Sequence, residues 1–236
     1  MKNLIFLTLT LLMTFSINAQ GFIGAWEGTH TTDSGQEIKT VVIFSSKYQV
    51  TTQYDAKTGE FVMTNGGTWE LAGDTMTETI EFDTKNPERV GTEVSFKVFI
   101  KDSIMGIVGS EQKLKRIDDG SPGKLQGAWL MSGRIRNGKT QQRDTNRPRK
   151  TMKILSGSRF QWIAYNTETK QFMATCGGSY TTVDGKYTEN LEFFSRDNAK
   201  VGLQLQFDYK LVDGKWHHSG LSSKGDPIYE IWSQRE

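Results

Sequence analysis

From Tyr54 to Val98 the chain repeats itself 111 positions later without a gap, with 13 of 45 residues identical. Gly66-Gly67-Thr68-Trp69 returns as Gly177-Gly178-Ser179-Tyr180, and Met76-Thr77-Glu78-Thr79-Ile80-Glu81-Phe82 as Tyr187-Thr188-Glu189-Asn190-Leu191-Glu192-Phe193. Self-similarity at a fixed spacing marks a duplication, so any fold must be built twice from one plan. Upstream, Gly24-Ala25-Trp26 and Gly127-Ala128-Trp129 are only 103 apart, which places an insertion of about eight residues in the second copy. Where the copies differ is where function is to be sought.

Residues 1–19 read as an export leader. Lys2 supplies a positive end, Leu4 to Phe15 an apolar run, and Ile17-Asn18-Ala19 a small-residue exit. The expectation is a protein that is secreted or periplasmic, with no membrane insertion, because no later stretch approaches the length of a spanning helix. The two copies then occupy 20–118 and 124–236, the first mainly structural and the second carrying the ligand or active site. A Gly/Pro/Asp-bearing stretch from Asp118 to Lys124 joins them. The single cysteine, Cys176, excludes an internal disulfide, so the fold must be stable through its core. It reads as a buried spectator beside Gly177-Gly178.

Short alternating runs such as Thr40–Phe44, Met76–Phe82, Phe160–Tyr165 and Trp216–Leu221 recur with turn pairs between them, and no helical period intervenes. Strands at that spacing predict an all-β chain of barrels or sandwiches, about eight strands per copy. Gly24-x-Trp26 and Gly127-x-Trp129 resemble the first-strand motif of the calycins, the lipocalins and fatty-acid-binding proteins. There a tryptophan closes the barrel floor beneath an arginine of the last strand. The resemblance implies two tandem antiparallel lipocalin-like (calycin) β-barrels, with Trp26 meeting Arg116 and Trp129 meeting Arg235.

Charge divides the copies. Residues 20–123 hold 10 Lys/Arg against 16 Asp/Glu, whereas 124–236 hold 18 against 11. Much of the excess lies between Arg134 and Lys150, in or near the insertion. Arginine makes two-pronged contacts with oxyanions, so this run reads either as a solvated loop or as part of an anionic-ligand site. A net charge of +2 speaks against nucleic acid as partner.

His217 and His218 stand alone on a strand of the second copy; adjacent strand residues face opposite ways, so one of them must point inward. For the same reason the pair cannot easily share a metal, and no metal site is expected. Glu189 shares a face with Tyr187, Leu191 and Phe193, as Glu78 does in the first copy. A carboxylate on a packed face needs a partner or a raised pKa. Trp162, Tyr165, Tyr180 and Tyr187 add flat surfaces suited to sugar rings, or to an ordinary core.

The second copy is also similar to secreted proteins of bacterial polysaccharide-utilisation loci, on Phe160-Gln161-Trp162-Ile163-Ala164-Tyr165, Gly177-Gly178-Ser179-Tyr180, Tyr187-Thr188-Glu189 and Trp216-His217-His218-Ser219-Gly220. It resembles the dehydratases acting on the unsaturated uronate end of ulvan oligosaccharides. That resemblance implies a carbon–oxygen lyase of acidic oligosaccharides. His217 or His218 would be its base, Glu189 or Tyr187 its acid, and Arg134, Arg143 or Arg196 its carboxylate clamp. No cofactor is expected, since no nucleotide-binding motif or nucleophile elbow is present. The alternative is a non-catalytic lipocalin-like binding protein for an acidic saccharide or a small apolar ligand. Oligomeric state stays open.

Overall fold

The computed structural model describes residues 19–121 and 123–235. The proposed leader, apart from Ala19, lies outside the described residues. The chain forms two tandem antiparallel lipocalin-like β-barrels. The first is an up-and-down closed barrel of eight strands: β1 (Gly24–Thr31), β2 (Glu37–Phe44), β3 (Tyr48–Asp55), β4 (Phe61–Ala72), β5 (Thr75–Asp83), β6 (Glu93–Lys101), β7 (Ile104–Ile107) and β8 (Lys113–Asp118). The second runs through β9 (Gly127–Arg136), β10 (Lys139–Gln142), β11 (Arg149–Leu155), β12 (Arg159–Asn166), β13 (Gln171–Val183), β14 (Lys186–Phe194), β15 (Gln204–Val212), β16 (Lys215–Leu221) and β17 (Pro227–Gln234). Pairing of β17 with β9 closes eight of these strands, and β10 is extra. It pairs only with the far end of β9, through the turn at Asn137-Gly138, so the insertion is a hairpin whose root, at Gly133 and Arg134, also pairs with β17.

The duplicated glycines explain the most closely repeated stretch. Gly66-Gly67 and Gly177-Gly178 lie at register shifts within the long strands β4 and β13. A Cβ on Gly178 would stand 2.0 Å from the carbonyl oxygen of Asn190, and one on Gly67 would stand 1.9 Å from that of Thr79. The strand can bend into the barrel wall there only without a side chain.

Both barrel floors carry the tryptophan of the Gly-x-Trp motif, whose indole N–H donates four residues back: Trp26 to Phe22 (2.8 Å) and Trp129 to Leu125 (2.9 Å). Arg116 covers Trp26 at 4.0 Å and donates to the carbonyls of Gly21 and Ile23. The matching expectation for Trp129 and Arg235 is corrected. Register puts Gln234, not Arg235, opposite Trp129, so Arg235 points to the other side of its strand. Its guanidinium makes a two-pronged bond to Glu81 of the first barrel (2.9 and 2.8 Å) and stacks 4.1 Å over Tyr48.

That outward arginine belongs to the seam between the barrels. Apolar outer-face residues of both copies merge there into one buried cluster, including Val41, Ile43, Val50 and Phe82 against Leu130, Met152, Ile154 and Ile163. The polar groups are exchanged. Tyr54 donates to Glu192 at 2.7 Å, and its counterpart Tyr165 donates to Glu81, the counterpart of Glu192. Arg159 bonds Glu192 and reaches Glu27 at 3.0 Å. At the centre the buried amide of Gln161 accepts from Thr52 and donates to both Thr64 and Thr175, which are themselves equivalent.

Candidate functional site

The two interiors are opposites. In the second barrel Lys153 and Glu189 form a buried pair at 2.6 Å, each side chain about one-twentieth exposed. The Lys153 ammonium lies within 6 Å of the ring centres of Tyr187, Trp216, Trp232 and Phe207. An ion pair so enclosed adds little net stability, but a lone charge left there costs about 3–5 kcal/mol. His218 points inward and is 2% exposed. Its Nδ1 stands 3.3 Å from Glu230 without hydrogen-bond alignment, and its Nε2 has no partner. Burial, then the Lys153 charge, hold His218 below its ordinary pKa, against a smaller raising by Glu230 and Glu189. The Tyr187 hydroxyl is buried, and burial first, then the Glu189 carboxylate beside it, push its pKa well up.

The first barrel is hollow. A cavity of ≈ 120 Å³ is lined by Phe22, Phe44, Met76, Phe96, Met105 and Leu114, with Ile107, Ser110 and Gln112 among its other lining residues. Strand register gives the reason. Positions held by Met76, Met105, Leu114 and Thr51 here carry Tyr187, Trp216, Trp232 and Trp162 in the second copy. Larger rings fill in one barrel the space that smaller side chains leave in the other.

Glu78 lines this cavity, buried at 9% exposure. Among the described residues it makes no hydrogen bond and no ion pair, because the place of Lys153 is taken by Val42. Burial raises its pKa to about 7, against a smaller lowering by Arg89. The two equivalent carboxyls thus show the two ways such a group can be accommodated: Glu189 is paired with a cation, and Glu78 has its pKa raised towards neutrality.

The remaining sequence candidates separate. His217 faces outward, its Nδ1 3.1 Å from the Tyr229 hydroxyl, so only one of the two histidines lies in the interior. Tyr165 is fully buried in the seam, and Tyr180 is buried with its hydroxyl donating to the Ser156 carbonyl at 2.6 Å. Neither presents a face for a sugar ring. Trp162 is half-buried against the aromatic interior, as is Cys176, whose thiol burial pushes far up. Arg196 is exposed and donates to the Met173 carbonyl at 3.1 Å. Arg134 and Arg143 come together at the root of the β9–β10 hairpin. Sequence reasoning missed Lys153, whose flanking Met152 and Ile154 make it look solvent-facing, and Glu230. The signal for Lys153 was the acid on the packed face of β14, which required a cation nearby.

Among the described residues no helix is long and apolar enough to cross a membrane, and no group of three His, Cys, Asp or Glu is placed to hold a metal ion. Residues 124–235, the second barrel, match a family described as a domain of unknown function, DUF4488. No curated protein matches the chain. Among solved structures it is similar to the Cpx pathway activator NlpE from Escherichia coli, at 11% identity and a TM-score of 0.26, over 90% of this chain and 92% of that one.

Proposed function

We propose that this is a binding protein of the cell exterior or envelope, and that its first barrel holds a small, largely apolar molecule with a hydrogen-bonding end group. The observation that carries this reading is the apolar cavity with a buried, unpartnered carboxyl on its wall. Small-molecule sites are concave and mostly apolar, with few polar groups to fix orientation. Glu78 is such a group, able to donate when protonated and to accept in either state.

The lyase reading is less well supported by the geometry. His218 and Glu189 are buried, Glu189 is engaged with Lys153, and neither lines the first-barrel cavity or the clefts beside Tyr229 and Arg143. A general base must reach a substrate proton, directly or through one water.

The test is displacement of a neutral apolar fluorophore, N-phenyl-1-naphthylamine, from the full chain. We expect saturable binding that falls at least about tenfold, about 1.4 kcal/mol, when Met105→Trp and Leu114→Trp copy the second barrel's filling. Binding indifferent to both substitutions would overturn the proposal. So would loss of one water from unsaturated uronate oligosaccharides incubated with the protein, read by mass spectrometry.

A further inference from the structure

We propose that the root of the inserted β9–β10 hairpin is a second, separate binding site, for a polar molecule bearing an oxyanion such as a carboxylate, sulfate or phosphate. A cleft of ≈ 280 Å³ lies there, lined by Met131, Gly133, Arg134, Gln141, Gln142 and Arg143. Arg134 is held in place by donating from Nε to the Gln141 side chain at 2.6 Å, which leaves its terminal nitrogens free to bond elsewhere. Arg143 is half-buried, anchored through its backbone N–H to the Ser132 carbonyl, and its guanidinium has no hydrogen-bond or ion-pair partner among the described residues.

The local charges leave this cluster with an excess of cations, Arg134, Arg143 and Arg149 against the nearby Glu230. Burial first, and then the charges of Arg149 and Arg134, disfavour the cationic form of Arg143. Asp144 pairs with Arg147 at 3.7 Å, and the charge of Glu230, opposite Arg134 across β9 and β17, offsets only part of the repulsion at Arg143. Like charges gathered round a cleft are stabilised by an anion, and paired guanidinium forks favour a planar or tetrahedral oxyanion. The Gln141 and Gln142 amides supply neutral donors and acceptors for hydroxyl groups beside it. The first barrel has no such site, because its β1–β2 connection, residues 32–36, lacks the hairpin altogether.

Isothermal titration of the full chain with glucuronate, glucose 6-phosphate, inorganic sulfate and glucose tests this. The three anions are expected to bind and glucose not to, with affinity falling as salt rises from about 0.05 to 0.3 M. The ranking of the carboxylate, phosphate and sulfate probes identifies the natural head group. Arg143→Gln should weaken binding at least tenfold, while Arg196→Gln, an exposed cation remote from the hairpin, leaves it unchanged. Equal loss in both variants, equal binding of glucose, or affinity indifferent to salt would overturn the site. Fluorophore binding in the first barrel should be untouched by Arg143→Gln, so failure here is distinguishable from failure of the cavity reading.

Discussion

At the scale of single residues, the sharpest contrast is between Glu78 and Glu189, one position of the ancestral repeat in two environments. That both carboxyls sit on a packed face was legible from Tyr187-x-Glu189-x-Leu191 and its counterpart. Which of them was compensated was not, because the deciding residue, Lys153 or Val42, lies on a strand far away in sequence. Glu78 carries a consequence for stability. Its pKa is about 7 in the fold against 4.5 for the free side chain, so the folded state binds more protons than the unfolded one between those values. The contribution is therefore fully present below about pH 4.5 and lost as pH rises through about 7, on the order of 3 kcal/mol in all. Glu78→Gln should flatten that slope in urea unfolding between pH 5 and 8, whereas an unchanged slope would mean that the carboxyl is solvated. His218 works in the opposite sense: with its pKa held down by burial, it removes stability as pH falls below its ordinary value.

At the scale of elements, alternation marks most strands, but the glycine pairs interrupt it in two of them. β4 and β13 continue to Ala72 and Val183, past the glycine pairs that look like turns in sequence. The pattern breaks there because the strand bends without ending, and period-two reasoning cannot tell a bulge from a turn. The difference is measurable. Gly178→Ala drives a Cβ against the Asn190 carbonyl and should cost about 3 kcal/mol, at the upper end for overpacking. Gly185→Ala, in an open turn at φ +73 with nothing near the added carbon, should cost about 1 kcal/mol. Similar midpoints for the two in urea unfolding would contradict the close approach. The β9–β10 hairpin was half legible: its basic residues and its insertion were evident, but the hairpin geometry depends on Asn137-Gly138 turning the chain back. Arg235 shows how narrow such margins are, since one position past the end of β17 takes it from the floor of its own barrel to the wall of the other.

At the scale of the whole molecule, the duplication announced two barrels but said nothing of how they meet. The seam combines a buried apolar patch with the Tyr54–Glu192 and Tyr165–Glu81 exchange and the Arg159 and Arg235 ion pairs. The connection between β8 and β9 is therefore not what keeps the halves together. A protease site inserted after Ser121 and then cut should leave both fragments eluting as one species in size exclusion, and Glu81→Ala with Glu192→Ala should release them. Separation of the cut wild-type fragments would show the seam to be weaker than its contacts imply. An exchange in which each half gives the other the same hydroxyl and receives the same carboxylate is the geometry of an isologous dimer, here written into one polypeptide. In a symmetric pair of identical chains, any substitution that seals one interior seals both. Joined in tandem, the copies keep the self-complementary outer faces that hold them together, while each interior is free to change alone. One interior is packed with aromatic rings and the other holds a cavity, an asymmetry that no homodimer of this barrel has open to it.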